Sequence, residues 1–405
     1  MLTVSRAPQL KTVLLAGGLV LTLAMGVRHG FGFWLQPISQ AHEWTRETYS
    51  LAQALQNLMW GVFGPFAGMA ADRYGTARVV IAGALLYMAG LLWMALVAHP
   101  TLFIVGSGLL IGAALSCTAF GAISGIVGRT APEHQRSWAF GLSSAAGSFG
   151  QFMMMPVEQQ LISATGWQNA FYILAALIVI AMIPLAFFLR EPPARLAVKG
   201  EQSIWDATKE AFAYRPFLLL LAGYFVCGFQ LVFIGIHMPA YLKDKGIVDP
   251  KVAVVALALI GLFNIFGSYY AGKLGGILPK RYLLASIYFT RAIVIALFVL
   301  APLTSWSVYA FSCAMGLLWL STVPLTNGVI AGIFGVRYLS MLAGFVFFSH
   351  QVGSFFGVWL GGYLYTRLGN YDAVWMITIG LGIFAALMNL PINEKPILRP
   401  HPVMS

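Results

Sequence analysis

Apolar segments long enough to cross a lipid bilayer recur along this whole chain, and charged residues are confined mostly to the gaps between them. Charged residues make up 9% of the 405 residues and hydrophobic residues 59%, whereas charged residues reach about 25% in ordinary soluble domains. A soluble protein of this length cannot bury so much apolar surface, because the surface of a folded chain still grows steeply with its mass. The composition excludes a soluble domain, a disordered chain and a disulfide-stabilised scaffold, and it indicates a membrane protein.

The number of apolar segments predicts the fold class. A helix needs about 20 apolar residues to cross the hydrocarbon core. Because backbone amides must be paired inside lipid, and because no alternating strand pattern is present, each segment is predicted to be a helix. The predicted fold class is therefore an all-α membrane protein with 12 transmembrane helices. The predicted spans are 12–36, 46–71, 78–98, 101–128, 137–163, 168–189, 216–241, 250–273, 281–301, 304–334, 338–366 and 371–391.

The basic residues predict the orientation of these helices. If the N-terminus is cytoplasmic, 17 lysine and arginine residues fall on the cytoplasmic side and 5 on the other side, as the positive-inside rule requires. The first apolar run, 12–35, is too long for a signal-peptide core and has no small-residue cleavage site, so we expect it to remain as a helix. Both termini are expected to be cytoplasmic. The net charge of +11 lies in short loops between spans, which argues against nucleic acid as a partner.

The two halves of the chain repeat each other weakly. The run 26–37, with Arg28 at its third position, matches the run 228–239, with Gln230 at its third position. Parallel repeats of six helices place a substrate site near the midplane of the membrane, between the halves. The repeat predicts two six-helix bundles, 1–190 and 216–405, that are joined by a cytoplasmic linker, 191–215.

One loop motif carries a family resemblance. The stretch from Gly68 to Arg78 has the pattern G-x-x-x-D-R-x-G-x-x-R, and it resembles the signature between helices two and three of the major facilitator superfamily. The resemblance implies the major facilitator fold. It also implies a charge network that latches the cytoplasmic side while the protein is open outward. The residues of the motif are Gly68, Asp72, Arg73, Gly75 and Arg78.

Four further stretches are similar to the bacterial monocarboxylate/oxalate porter branch of that superfamily: 28–32, 237–241, 319–326 and 350–357. The resemblance implies a monomeric transporter of the bacterial inner membrane, without a cofactor. Members of that branch often carry an arginine on helix eight, four residues after an Asp or Asn, whereas here Asn264 is followed by Ser268. An anchor for a carboxylate is therefore not carried over from helix eight.

Two arginines, Arg28 and Arg291, fall inside predicted helices. An arginine at mid-membrane depth costs about 2.5–3.5 kcal/mol in an inserted helix, so it needs a partner or a wet cavity. Helix one lines the central cavity in the family fold, and a guanidinium binds a carboxylate through two parallel hydrogen bonds. We interpret Arg28 as the substrate anchor; the alternative is a structural arginine bonded to helix backbone or to Glu158. A structural role is favoured for Arg291 on helix nine.

Neutral polar residues at the same depth on helices of both halves indicate a wet cavity. Gln230, the repeat mate of Arg28, is expected to face it across the pseudo-twofold axis. The predicted binding residues are Arg28, Asn57, Gln230, Asn264 and His350.

Three titratable residues inside predicted helices are candidates for proton coupling: His350, His237 and Glu158. Imidazole changes its charge near neutral pH, which suits a proton-coupled step. The competing interpretation is that each histidine is a satisfied hydrogen-bonding residue. For Glu158, near the outer end of helix five, the favoured interpretation is a carboxylate that reaches water.

The predicted function is secondary active transport. The sequence has no Walker loop, no H-E-x-x-H motif and no nucleophile elbow, and its three cysteines lie inside apolar runs without metal-ligand spacing. We expect no enzyme activity, no metal and no ATP dependence. The expected substrate is a small organic anion, first of all a monocarboxylate, moved by alternating access together with protons. A carboxylate exchanger and an efflux pump for amphipathic compounds are the alternatives.

Overall fold

The structure is a computed structural model that describes residues 9–191, 203–335 and 337–397. Part of the predicted linker (192–202) and the extreme ends of the two predicted bundles (1–8 and 398–405) lie outside these ranges. The α-helices are α1 Leu10–His29, α2 Leu35–Ala41, α3 Arg46–Tyr74, α4 Thr76–Leu96, α5 Pro100–Thr118, α6 Phe120–Thr130, α7 Arg136–Thr165, α8 Trp167–Phe187, α9 Ile204–Ala213, α10 Arg215–Asp244, α11 Pro250–Leu274, α12 Lys280–Leu300, α13 Ser305–Leu318, α14 Thr322–Phe334, α15 Leu339–Leu368 and α16 Asp372–Asn389. Two 3-10 helices, Gly30–Trp34 and Glu133–Gln135, complete the described elements.

These helices account for the twelve predicted spans. Within the described ranges, 10 spans are long and apolar enough to cross a membrane. The remaining two predicted spans correspond to α3 and α7, which have 29 and 30 residues but carry more polar side chains. Their residues Gln53, Asn57 and Gln151 are at most 2% exposed, so these amides face protein and not lipid. The predicted all-α fold is confirmed.

Three of the predicted helices are interrupted. The first is α-helical only as far as His29 and continues as the 3-10 helix Gly30–Trp34 and then as α2. The backbone leaves helical geometry at Ala119, between α5 and α6, and another break at Trp319–Ser321 separates α13 from α14. The hydropathy profile does not predict these breaks, because each interrupted segment stays apolar through the break.

Most helix packing lies within the predicted halves. In the first half α1 packs on α7, α3 on α5, and α4 on α5 and α8; in the second α10 packs on α15 and α16, α11 on α13, and α12 on α16. Packing across the halves is most extensive between α3 and α15 and between α7 and α11, and α6 also contacts α15 and α7 also contacts α14. The division into bundles at 190 and 216 stays a prediction.

Glycines bring the halves into close contact on the side where α1 begins, which is called the N-terminal side below. A Cβ atom at Gly344 of α15 would lie 3.1 Å from Pro65 Cα of α3. A Cβ atom at Gly141 of α7 would lie 3.1 Å from the carbonyl oxygen of Ser268 on α11. Protein interiors are packed too densely to absorb larger side chains at such contacts. The path between the halves is therefore narrow on the N-terminal side.

Candidate functional site

A cavity of about 70 Å³ lies at the centre of the molecule, between the two halves. Since about 10–15 Å³ of such space accommodates one water molecule, this cavity can hold a compact solute or a few waters, but not a bulky amphiphile. Its polar lining residues are Arg28, His29, Gln53, Gln56, Asn57, Gln151 and His350. Its aromatic lining residues are Trp60, Phe120, Tyr224, Trp319 and Phe347.

Arg28 provides the charge of this cavity. Among the lining residues of the described chain it is the only arginine or lysine, and none is acidic. Its Nη2 donates a hydrogen bond to Asn57 Oδ1. Asn57 Nδ2 donates to the carbonyl oxygen of Gln53 at 2.8 Å, which turns the Asn57 oxygen toward the arginine. The guanidinium also lies over Trp60, 4.9 Å from the ring centroid. A neutral amide and an aromatic ring thus hold Arg28 without cancelling its charge.

Three buried N–H groups around Arg28 lack an acceptor within the described ranges: Arg28 Nε, Gln53 Nε2 and Gln56 Nε2. Both glutamines are at most 2% exposed. Buried polar groups in native proteins are nearly always paired, and these three groups can only donate. A solute that presents acceptor oxygens would pair them, and a carboxylate presents acceptors only. The chemistry of the cavity therefore fits a small anion. The sequence analysis did not single out Gln56, although its spacing from Gln53 places both on one face of α3.

His350 reaches the same cavity from α15 of the second half. Its ring stacks on Phe347 with the centroids 5.4 Å apart. Its Nδ1 lies 2.9 Å from Gln351 Oε1, and because an amide oxygen only accepts, we assign the ring proton to Nδ1. The structure thus brings Arg28, Asn57 and His350, three of the five predicted binding residues, to one cavity.

The other two predicted residues, Gln230 and Asn264, lie outside the lining of the cavity. Gln230 is fully buried and donates from Nε2 to the carbonyl oxygen of Thr378 at 3.0 Å, so it faces α16. Asn264 Nδ2 donates to Ser148 Oγ at 2.8 Å, and Asn264 Oδ1 accepts from Leu320 N at 2.8 Å. The expected position of Gln230 across the cavity is therefore corrected. A helix that is buried around most of its circumference gives no hydropathy signal for its rotation.

The contacts of Arg291 support the structural role that the sequence analysis favours. It is fully buried on α12. Its guanidinium donates to the carbonyl oxygens of Leu318 and Trp319, which the end of α13 leaves without helical partners. Together with Asn264, Arg291 supplies the hydrogen bonds that lipid cannot give to a broken helix.

His237 is hydrogen-bonded at both ring nitrogens. Its Nε2 lies 2.9 Å from the carbonyl oxygen of Val358, which can only accept, and its Nδ1 lies 3.3 Å from Tyr371 Oη. We assign the proton to Nε2, so that Nδ1 accepts from the tyrosine. These bonds support the interpretation of His237 as a satisfied hydrogen-bonding residue.

Glu158 on α7 is 0% exposed. The 3-10 helix that follows α1 covers it, and a Cβ atom at Gly30 would overlap its carboxyl group. The favoured interpretation, that this carboxylate reaches water near the end of its helix, is therefore corrected.

The loop motif contributes to a charge network at the N-terminal side. Asp72 forms an ion pair with Arg129, whose Nε donates to Glu191 Oε1 at 2.9 Å. Thr76 Oγ1 donates to Glu191 Oε2 at 2.8 Å. Gly75 has φ of +90°, a conformation that glycine adopts readily and that permits the sharp turn from α3 to α4.

The remaining motif residues contribute less. Arg73 and Arg78 are exposed, and Gly68 is buried within α3. The sequence analysis missed Arg129 and Glu191 as partners of the motif. From the sequence alone, a basic residue that only marks the cytoplasmic end of a helix cannot be distinguished from one that forms an ion pair with a distant acid. The latch itself stays a prediction.

Two further cavities adjoin the central one. A cavity of about 450 Å³, on the side opposite to the N-terminal side, shares Ile236 with it. A cavity of about 40 Å³, on the N-terminal side, shares Trp60 and Phe347 with it. The path through the protein is wide on one side of the centre and nearly closed on the other.

Membrane-spanning helices around a central cavity that is wider toward one side are the arrangement of a membrane transporter. The chain belongs to the Major Facilitator Superfamily, whose sequence profile matches residues 14–328. The protein is therefore a secondary transporter of small solutes and not an enzyme.

The similar proteins span almost the whole chain. YcxA of Bacillus subtilis (strain 168), an uncharacterised MFS-type transporter, is 25% identical over 403 residues, which cover 96% of this chain and 97% of YcxA. Monocarboxylate transporter 13 of Rattus norvegicus is 25% identical over 368 residues, which cover 88% and 82%. A crystal structure of the E. coli fucose:proton symporter FucP matches with a TM-score of 0.69 at 16% identity and covers 95% of this chain and 98% of FucP. A structure of FucP in the outward conformation matches with a TM-score of 0.70. At this identity the likeness to FucP shows the fold alone.

Proposed function

We propose that the protein carries a small organic anion, a monocarboxylate, across the bacterial inner membrane by alternating access, coupled to protons. One observation carries the proposal: within the described chain, the central cavity combines the permanent positive charge of Arg28 and unpaired N–H donors with a wall that has no acidic residue. A carboxylate pairs with a guanidinium through two parallel hydrogen bonds. That the rat relative is a monocarboxylate transporter supports the same substrate class.

The residues of the cavity have distinct proposed roles. Arg28 binds the carboxylate, and Asn57 holds the guanidinium in position. His350 contacts the substrate from the second half, so a bound anion touches both halves and favours their closure around it. Gln230 and Asn264 support the surrounding helices and do not contact the anion.

The orientation proposed from the basic residues indicates whether this conformation faces the cytoplasm or the outside. With the termini in the cytoplasm, the cavity of about 450 Å³ opens to the outside. The conformation is then outward-facing. The network around Asp72 lies on the cytoplasmic side, where the proposed latch keeps that side closed.

Two other functions fit the same fold. A carboxylate exchanger would use the same anion site without protons. An efflux pump for amphipathic compounds would use the apolar part of the wall, which includes Met25, Trp60 and Trp319. The central volume of about 70 Å³ favours a compact anion over a bulky amphiphile.

The test is counterflow of a labelled monocarboxylate in proteoliposomes. Arg28→Gln should lower it at least about tenfold, because a hydrogen bond to a charged group contributes about 1.5–3 kcal/mol. Arg367→Gln, the same change at an exposed arginine of α15, is the control and should transport as the wild type does. Undiminished counterflow by Arg28→Gln would overturn the proposed anchor. Transport of amphiphiles but of no carboxylate by the wild type would favour the efflux pump.

A further inference from the structure

A carboxyl group that the proposed anion site does not use lies beside it. Glu158 on α7 is completely buried. Within the described residues, neither of its carboxyl oxygens has a hydrogen-bond partner. An unpaired buried carboxylate is costly enough that such groups take up a proton instead, so Glu158 carries its proton in this conformation.

The groups that face Glu158 do not neutralise it. Tyr49 of α3 and Tyr87 of α4 lie within electrostatic range of its carboxyl group. Their hydroxyl groups donate elsewhere: Tyr49 Oη to the carbonyl oxygen of Phe31 at 2.6 Å, and Tyr87 Oη to that of Ala24 at 3.0 Å.

The basic groups of α1 near Glu158 have other partners as well. Arg28 donates to Asn57 and makes no ion pair with Glu158 within the described ranges. His29 Nδ1 lies 2.6 Å from the carbonyl oxygen of Met25, which can only accept, so we assign the ring proton to Nδ1. Among the described residues, no basic group therefore forms an ion pair with Glu158.

The cover over Glu158 is one short segment. Gly26 of α1 and Gly30, the first residue of the 3-10 helix, are four residues apart, and Cβ atoms there would overlap Met154 and Glu158, also four residues apart on α7. Small residues at this spacing let two membrane helices pack closely. At Gly30 the α-helix gives way to the 3-10 helix Gly30–Trp34, and a 3-10 stretch within a membrane helix often marks a hinge.

The other side of this segment faces the large cavity. Gly32 and Phe33 line the cavity of about 450 Å³, as does Gln159, the neighbour of Glu158. The 3-10 helix therefore separates Glu158 from the wide side of the path. If this segment moves away from α7, water in that cavity reaches the carboxyl group.

We propose that Glu158 is the proton-binding site of this transporter and that the 3-10 helix Gly30–Trp34 is its gate. With the gate packed on α7 the acid is neutral; with the gate open the acid transfers its proton to water, leaving a carboxylate and a hydronium ion. Arg28 of α1 lies two residues before Gly30, the first residue of the gate. Anion binding at Arg28 and proton binding at Glu158 therefore act on the same movement, and each changes the affinity for the other. This inference rests on the proposed function, since the coupled solute is the anion that Arg28 holds.

The first test separates proton coupling from anion transport. In proteoliposomes, Glu158→Gln should lose uptake driven by an inward-directed proton gradient, down to the level of empty liposomes. Its counterflow of labelled monocarboxylate, which needs no net proton movement, should stay within about twofold of the wild type. Glu43→Gln, the same change at an exposed acid, should alter neither. Gradient-driven uptake by Glu158→Gln at the wild-type level would overturn the inference. Loss of both counterflow and anion binding in Glu158→Gln would also overturn it, because Glu158 would then have a role in the anion site.

A second measurement needs no anion. The infrared carbonyl band of a protonated carboxylic acid should be present in the wild type at neutral pH and missing from Glu158→Gln. Absence of this band from the wild type overturns the inference whatever the substrate is. Failure of the proposed function would show differently, as a wild type that has the band but binds no carboxylate.

Discussion

Arg28 keeps its charge available because its neighbours are neutral. Asn57 and Trp60 hold the guanidinium through a hydrogen bond and a cation–π contact. An acidic partner would hold it more firmly, but it would also fill the N–H groups that a substrate carboxylate needs. Within the described ranges, the acid Glu158 on α7 makes no ion pair with Arg28.

Changing Asn57 to Asp tests this view of Arg28. A carboxylate at this position would form an internal ion pair with the guanidinium and compete with the substrate. We expect Asn57→Asp to lower the affinity for a monocarboxylate at least about tenfold, or about 1.4 kcal/mol, in calorimetric titration of the purified protein. Asn57→Ser, which adds no charge, should lose less. Wild-type affinity in Asn57→Asp would show that the charge of Arg28 does not bind the anion.

Broken helices form part of the cavity wall, and residues on other helices stabilise the breaks. Where α13 ends, Arg291 binds the carbonyl oxygens of Leu318 and Trp319, and Asn264 binds the amide of Leu320. Trp319 and Leu320 line the cavity at this break. Asn264 therefore supports the cavity wall without lining the cavity.

This role predicts a loss of stability and not a loss of specificity. Asn264→Ala leaves the amide of Leu320 and the hydroxyl of Ser148 without these partners, so the free energy of unfolding should fall by about 1–3 kcal/mol. Denaturant unfolding in detergent measures the change. Asn389→Ala is the matched control, because this buried asparagine donates only to Ala385 of its own helix within the described ranges, and it should lose less. Equal losses, or a changed anion preference in folded Asn264→Ala, would contradict the assignment.

The sequence predicts the helices better than their rotations. In lipid the backbone polar groups of these apolar segments must be paired within each segment, and only a helix does this. The twelve spans therefore follow from the lengths of the segments. Arg28 could be predicted as a residue of the cavity, because a charged side chain within the membrane is costly and almost always faces the bundle interior or a water-filled cavity. The rotation of Gln230 could not be predicted, since α10 is buried over most of its length and no apolar stripe marks one face. The break at Trp319 depends on Arg291 and Asn264, which are distant in sequence.

At the scale of the whole molecule, the two sides of the central cavity differ in width. The cavities that adjoin it measure about 450 Å³ on one side and about 40 Å³ on the other. Contacts at glycines, such as Gly344 against Pro65, bring the helices together on the narrow side. Alternating access requires these contacts to separate when the opposite side closes.

A larger side chain at Gly344 should therefore shift the population of states. In Gly344→Val the added methyl groups would meet the backbone of α3, so the N-terminal side should open. Spin labels at two exposed positions of that side, Tyr74 on α3 and Tyr270 on α11, should move further apart than in the wild type. Gly380→Val is the control, since a Cβ atom there meets nothing within 4 Å. An unchanged label distance in Gly344→Val would show that these contacts do not set the width of the path.

The central claim is that the cavity binds a carboxylate through Arg28. The most direct measurement is thermal unfolding of the detergent-purified protein with a panel of monocarboxylates, sugars, amino acids and amphiphiles. A ligand at 100 times its Kd adds about 2.7 kcal/mol to the stability of the folded state. We predict that a monocarboxylate raises the unfolding temperature of the wild type but not that of Arg28→Gln. Equal stabilisation of both proteins, or stabilisation by neutral or cationic amphiphiles alone, would contradict the claim.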